Sequence, residues 1–317
     1  MAATAHKQTM FVGIDVSKSK LDVHIHPSGE NYELANEASG LEELVARLKQ
    51  LDAAVIAVEA TGGFEAVAVA GLAASGLPVV VVNPKQVHNF AKALGLNAKT
   101  DRLDAHVIAR FAEAVKPEIR PLANAETIAL SELLARRRQI VQMITAEKNR
   151  AMRMATNKPL QRSIARILDA LQAELAKLDD DIDRMIKASP LWREKEQLLS
   201  SVPGIGKVIA RTLLAEMPEL GEMTGKQAAA LSGLAPWTRQ SGQWRGKSMI
   251  GAGRTVPRTV LYIAAMIARR HNPTLRAFAL RLLEAGKPKK LVIIAIARKL
   301  VTILNAILRD KKPWQPA

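Results

Sequence analysis

No cysteine occurs among the 317 residues, which removes disulfides, thiol nucleophiles and Cys-ligated zinc and gives no sign of an oxidising compartment. Aromatic residues make up only 3%, so the few present have to be weighed one by one. Residues 1–10 are polar and lack the apolar core of a secretory signal. The longest apolar stretch, Leu291 to Leu308, is interrupted by Arg298 and Lys299, short of the ~18 uninterrupted apolar residues of a membrane span. A soluble, cytoplasmic protein without membrane contact is expected. Hydrophobic residues at 48% and charged residues at 24% exclude disorder as the main state, and the length suits two domains at about 150 residues each.

What the chain has in excess is positive charge. Lysine and arginine number 46 against 30 acids, a formal +16, as expected of a protein that meets a polyanion. An anionic membrane surface or a merely solvated basic face would satisfy the same total. Along the chain, residues 1–122 carry 12 basic and 14 acidic side chains, 123–195 carry 14 and 10, and 196–317 carry 20 and 6, so the basicity belongs to the last segment. From Met223 to Leu283 there is no acid, while Lys226, Arg239, Arg245, Lys247, Arg254, Arg258 and four more arginines fall there. Such a stretch repels itself until phosphates or counterions neutralise it.

Residues 1–122 alternate strand and helix patterns. Met10–Ser17 and Leu21–His26 are short β-rich runs joined by a polar turn and predict a hairpin. Helical spacing over Gly40–Leu51, a strand run at Ala54–Ala60, an Ala-rich helix to Ala74, and the strand-like Pro78–Val82 follow, then helices near Gln86–Leu94 and from Thr100. A mixed α/β sheet covered by helices is expected. Residues 123–195 change period: Ile164, Leu168, Leu171, Leu175, Leu178, Ile182 and Met185 step by alternating fours and threes, a heptad seam. A second helical pattern spans about 126–156, and Lys158-Pro159 separates the two, predicting an antiparallel hairpin or a dimerising coiled coil. Residues 196–317 are mainly helical, with a Gly-rich loop over Ala235–Gly253.

Four acids of the first segment stand where solvated acids do not. Asp15 interrupts the apolar run Phe11–Val16 and Glu59 ends a buried strand, positions that cost several kcal/mol of desolvation without compensation. Asp101 and Asp104 are three apart at a helix start and share a face. Paired carboxylates repel unless a cation lies between them, and oxygen donors alone select Mg²⁺ or Mn²⁺. The purely structural alternative is an N-cap at Asp101, an exposed Asp104 and two buried acids satisfied by backbone or basic partners, with Arg102 at hand.

Three features of the basic segment invite function. Val202-Pro-Gly204-Ile-Gly206-Lys207 leads into a helix, where backbone N–H groups can hold a phosphate, although a Gly-rich helix connection explains it equally. The loop Pro236-Trp-Thr-Arg-Gln-Ser241-Gly-Gln-Trp-Arg-Gly-Lys247 sets Ser241 among Arg239, Arg245 and Lys247, a positive field suited to phosphoryl transfer, without a neighbouring His to act as base. Trp237 and Trp244 flank Ser241 and can stack on bases or pack beneath the loop. Among the histidines, His24 and His26 share a strand face, His88 and His106 lie on helices, and each reads as a polar surface residue, His106 being the one worth testing.

Taken in order, Gly13-Ile-Asp15-Val-Ser17, Val58-Glu59-Ala-Thr-Gly62, Asn83-Pro84 and Lys99-Thr-Asp101-Arg-Leu-Asp104-Ala105 resemble the DEDD domain of insertion-sequence transposases of the IS-one-ten group, which includes Piv-like invertases and bridge-RNA-guided serine recombinases. The Lys-Thr-Asp-Arg-x-Asp-Ala string is the specific part. The resemblance implies a RuvC/RNase H-like metal domain over 1–122, with Asp15, Glu59, Asp101 and Asp104 as catalytic metal ligands for Mg²⁺ or Mn²⁺. It further implies a coiled-coil spacer over 123–195 and a mainly helical, basic transposase domain over 196–317. In that last domain the family carries a catalytic serine in a Ser-Gly motif, which falls on Ser241, with Ser248 as its nearest rival. Gly204, Gly206, Lys207, Arg239, Arg245, Lys247 and Arg254 are expected to meet nucleic acid. The implied activity is site-specific recombination of a mobile element through a phosphoserine intermediate, with DNA as substrate, a structured guide RNA as partner, and a homo-oligomer, dimer or tetramer, as working form. A junction-resolvase-like nuclease using water, or a non-catalytic nucleic-acid binder, are the alternatives.

Overall fold

Apolar alternation in the first segment produces a five-stranded mixed sheet. In the computed structural model, residues 9–96, 101–119, 125–153, 156–238, 240–241, 244–246 and 248–315 are described, without the side chains of 101–103, 240, 244 and 245. The chain divides into two compact units, 1–122 and 123–317.

In the first unit β1 (Met10–Val16), β2 (Lys20–His26) and β3 (Glu30–Ala35) form an antiparallel meander, and β4 (Ala53–Glu59) and β5 (Val79–Val82) add in parallel beside β1, giving the order β3-β2-β1-β4-β5. The two faces have separate cores. Val12, Ile14, Ile56 and Val58 pack with Leu44 and Leu48 of α1 (Ala38–Gln50) and Leu72 of α2 (Ala66–Ala74). Phe11, Val55 and Ala57 pack with Val87 of α3 (Pro84–Ala93) and with Val107, Ile108, Phe111 and Ala112 of α4 (Asp101–Val115). Strand β3 was not anticipated from the sequence, because this edge strand buries only Leu34 and is otherwise polar or exposed. A strand that covers no core on its outer side carries little apolar signal.

The second unit begins with α5 (Ala125–Arg153) and α6 (Lys158–Ala188), which pack on each other. The heptad residues meet α5 of the same chain: Ile182 joins Leu130 and Leu134, and Leu178 joins Ile140 and Ile144 with Leu168, Leu171 and Leu175 at the margin. Next come α7 (Pro190–Ser200), α8 (Lys207–Glu216), α9 (Gly225–Leu231), α10 (Thr255–His271), α11 (Pro273–Glu284) and α12 (Lys289–Asp310). Four two-residue strands, β6 (Pro236–Trp237), β7 (Gln240–Ser241), β8 (Trp244–Arg245) and β9 (Met249–Ile250), replace the structureless loop expected between α9 and α10; β6 pairs β9 and β7 pairs β8. Helix α12 is long and apolar enough to cross a membrane by length and composition, but half of its apolar window is buried within the protein. Val292, Ile296, Leu300 and Leu304 form the centre of this unit's core.

Charge pairs fix how the hairpin meets the remaining helices. Buried Arg211 on α8 donates to Glu196 of α7 at 2.6 Å and reaches Asp183 of α6 at 2.5 Å. Arg138 of α5 reaches Glu216 of α8 at 2.9 Å. The Arg211 hydrogen bond holds the Asp183 carboxyl below its ordinary range. Arg211→Leu strands both carboxylates and is expected to cost about 3–5 kcal/mol, read as a lower thermal midpoint. Since Asp183 is depressed, the wild type gains this stabilisation above the ordinary Asp range and loses it as pH falls through the folded value; an Arg211→Leu protein as stable as wild type at neutral pH contradicts the assignment.

Candidate active site

Strand register brings two of the four predicted acids side by side. Ile14 pairs with Val58 in the parallel β1–β4 ladder, so Asp15 and Glu59, the next residue on each strand, are neighbours across strands about 4.8 Å apart. Alternation directs both toward the α4 face, with Phe11 and Gly13 preceding Asp15 and Val55 and Ala57 preceding Glu59. Both are half-buried, as is Asp104.

Helix α4 lies on β1 without an intervening side chain. A Cβ at Gly13 would stand 2.2 Å from the Ala105 carbonyl oxygen and 2.3 Å from the Ala109 nitrogen. His106 touches His24, which pairs with Gly13, and Glu113 reaches His26, which pairs with Phe11. The helix therefore runs antiparallel to β1, and its first turn, where Asp101 and Asp104 stand, lies toward the strand end that carries Asp15. The Asp101 side chain is outside the described residues, while Asp15, Glu59 and Asp104 each take part in interactions of their own. Among the described residues no group of three or more histidines and acids stands close enough to hold a metal. The donor set is hard oxygen throughout, the chemistry that suits Mg²⁺ or Mn²⁺.

Several residues around these acids escaped the sequence reading. Asp22 pairs directly with Asp15 across the β1–β2 hairpin, a neighbour that only the register reveals, since the sequence shows one more acid on a strand. His24 is buried rather than at the surface, 4% exposed. Asn31 donates its Nδ2 to the Gly29 carbonyl, so its Oδ1 accepts from His24 Nδ1 at 2.7 Å, and His24 Nε2 faces His106 Nδ1 at 3.1 Å. Burial, reinforced by His24, Arg110 and His26, lowers the His106 pKa, which favours a neutral His106 whose Nδ1–H donates to His24 Nε2. His88 is exposed.

The loops that leave β1 and β4 are tied together. Asn36 Nδ2 donates to the Ser17 carbonyl at 2.9 Å and to the Phe64 carbonyl at 3.4 Å. Glu65 accepts from Thr61 N at 3.1 Å, Thr61 Oγ1 at 2.7 Å and Gly63 N at 2.8 Å, so the turn directly after Glu59 closes on one carboxylate. Burial pushes the Glu65 carboxyl up, but the Thr61 hydroxyl and the loop N–H groups outweigh it and leave the pKa lowered.

In the second unit Ser241 ends β7, opposite Trp244 on β8, and is exposed. Arg239 and Lys247 lie outside the described residues, as do the side chains of Trp244 and Arg245. Ser248 shares a hydrogen bond with Thr238 at 2.9 Å. The foot of this loop is pinned backbone to backbone: Gly253, at φ +61, leaves no room for a Cβ against Gly233 N at 2.4 Å and Ala230 O at 2.6 Å. Arg254, expected to meet nucleic acid, is engaged in the fold, donating to both Glu219 oxygens at 2.8 and 2.6 Å and to the Glu216 carbonyl at 2.7 Å. Gly204 sits in the α7–α8 turn against Ala268 of α10, Gly206 is the N-cap residue of α8 and makes no side-chain cap, and Lys207 is exposed.

Comparison with known proteins places this geometry in context. A family model described as "Transposase", of the DEDD type, matches residues 12–157, and one described as "Transposase IS116/IS110/IS902 family" matches residues 196–280. The chain is 29% identical to the pilin gene-inverting protein of Moraxella bovis, over 96% of this chain and 97% of that protein. It is 25% identical to the insertion element IS900 uncharacterized 42 kDa protein of Mycobacterium paratuberculosis, over 90% of each. With the insertion element IS110 uncharacterized 43.6 kDa protein of Streptomyces coelicolor it shares 27% identity, over 47% of this chain and 36% of that protein.

Two outcomes test the geometry. Gly13→Ala is expected to push α4 off β1 at a cost of about 1–3 kcal/mol, seen as a reduced thermal midpoint, and an unchanged midpoint would show that the helix does not sit as described. The Thr61 and Gly63 amide resonances are expected to titrate with a midpoint below that of free glutamate, the loop being held above that range and released as pH falls through it. Glu65→Gln should abolish the titration, and a midpoint at or above the free value refutes it.

Proposed function

Since the chain belongs to the IS110 family of transposases and is a DNA recombining enzyme, we propose that it cuts and rejoins DNA through a phosphoserine intermediate on Ser241. The observation that carries the reading is the in-register Asp15–Glu59 pair facing the first turn of α4, with Asp101 and Asp104 on it. The sheet order β3-β2-β1-β4-β5, antiparallel on one side of β1 and parallel on the other, supports a RuvC/RNase H-like assignment for residues 1–122. Residues 123–195 then serve as spacer and oligomer contact, and 196–317 as the DNA-engaging domain.

In the proposed reaction the Ser241 hydroxyl attacks a backbone phosphorus. A Ser Oγ–P bond forms, the P–O3′ bond breaks, and the departing oxygen takes a proton to become a free 3′-hydroxyl. Strand exchange reverses the step: a 3′-hydroxyl attacks the phosphoseryl phosphorus and Ser241 leaves with a proton, so the ester bond is conserved and no nucleotide triphosphate is consumed. Asp15, Glu59, Asp101 and Asp104 would hold Mg²⁺ or Mn²⁺, which when bound supplies charge stabilisation at the scissile phosphate. The Asn36 and Glu65 contacts keep the two loops beyond Asp15 and Glu59 in place, and exposed cations of the second unit neutralise DNA phosphates. Working as a cytoplasmic dimer or tetramer, the protein takes its target choice from a structured guide RNA by base pairing. Inversion of a DNA segment is the outcome favoured by similarity to a pilin gene-inverting protein along nearly the whole chain.

Ser241→Ala is expected to abolish the SDS-resistant protein–DNA adduct and to reduce strand joining by ~10³-fold or more, while Ser248→Ala stays within about threefold of wild type. Asp15→Asn should lose cleavage while retaining DNA binding in a mobility-shift assay. Joining that survives Ser241→Ala would point instead to a nuclease using water, and cleavage that survives Asp15→Asn would remove the acidic site from the reaction.

A further inference from the structure

At the foot of the Ser241 loop the second unit holds a groove of about 920 Å³ with an apolar floor and a cationic rim. The floor is formed by Ile250, Phe278, Ile294 and Ala295, and the rim by Lys290 and Arg298 of α12, both exposed. No acid lines it. Lys299 Nζ stands 4.7 Å from the centre of the Phe278 ring and Arg281 Cζ 5.5 Å from it, so the aromatic surface and the positive charge adjoin each other. The wall formed by Ser248, Met249 and Ile250 continues into β9, which pairs with β6 at the foot of the loop that carries Ser241.

We infer that this groove receives one unstacked nucleotide of the DNA strand, its base on the apolar floor and its phosphate at Lys290 and Arg298. The volume lies within the range of small-ligand sites, about 300–1,000 Å³, and leaves room for a nucleoside with its phosphate. An apolar helix from a second copy would bury Lys290 and Arg298 without counter-charge, a costly arrangement. A nucleotide supplies both the flat apolar body and the anion. A base taken out of the stack can be held in a protein pocket against apolar and aromatic side chains, and an occupied groove would hold the strand open at the foot of the loop that carries Ser241. The inference rests on the serine-recombinase reading for its purpose, but occupancy of the groove is measurable without any chemistry at Ser241.

The test uses the full chain and a single strand of about 16 nucleotides with 5-iodouracil at its centre, irradiated and mapped by tryptic peptides. Crosslinks are expected on the peptides containing Met249, Phe278 or Ile294. Ala295→Trp, which fills the groove, should remove them and weaken strand binding by about tenfold or more, and the surface change Arg298→Glu should weaken binding and lower the log–log salt slope by about 1. Wild-type crosslinks confined to other peptides overturn the inference, as does a dimer lost in Ala295→Trp while its crosslinks persist, which would assign the groove to a protein partner. Should Ala295→Trp fail to fold, Arg298→Glu with unchanged binding and crosslinking overturns it. Adduct formation on the same samples separates the two readings: an adduct without groove crosslinks removes the groove alone, and groove crosslinks without an adduct remove the serine mechanism alone.

Discussion

The candidate site depends on one close approach, α4 lying backbone to backbone on β1 at Gly13. With only a hydrogen at that position the helix comes within reach of the strand, and no other residue type fits between the Ala105 carbonyl and the Ala109 nitrogen. Because His106 and Glu113 contact His24 and His26 in turn, the helix direction is set as well as its distance. Asp104 is then carried to the end of β1 at which Asp15 already stands beside Glu59. A carboxylate on a buried strand is unfavourable in isolation; here three elements deliver acids to one end of the sheet, at the close of β1 and β4, and the loops beyond them are closed by Asn36 and Glu65.

In the second unit a similar economy governs charge. Of the six acids in residues 196–317, Glu196, Glu216, Glu219 and Asp310 each pair with an arginine, and the first three pairs join different helices or anchor the foot of the Ser241 loop. Three of these acids are therefore committed to holding the fold together, while among the described residues Lys207, Lys226, Arg270, Arg276, Lys290 and Arg298 are exposed. That arrangement raises self-repulsion in the free protein and lowers it when phosphates arrive. It also gives Arg254 a role that net charge does not suggest: it fixes the return of the loop onto the helices.

Much of this was legible in the chain itself. The hairpin, β4, β5 and the helix beginning near Thr100 follow from periodicity and turn residues, and the helical hairpin follows from the heptad spacing around Leu175. What escaped were elements with weak signals. Strand β3 buries a single leucine, and the four two-residue strands around Ser241 are too short for any period to register. Asp22 was invisible as a site neighbour because opposition across a hairpin is a matter of register, and His24 was misplaced because its burial comes from α4, a helix some 80 residues further on in the chain whose packing no local pattern records.

By itself the sequence determined residue chemistry and its order: no thiols, oxygen donors spaced along the first unit, a serine in a basic loop, and positive charge concentrated in the last segment. These are covalent facts, and periodicity adds the elements on which they sit. Tertiary structure decided which of them meet. The Asp15–Glu59 pairing comes from parallel register, the approach of α4 from the missing side chain at Gly13, the engagement of Arg254 from Glu219 lying 35 residues away, and the groove at the foot of the Ser241 loop from residues of α11, α12 and β9 coming together. Such contacts between distant segments depend on the packing of side chains from both partners, and neither segment alone carries that information.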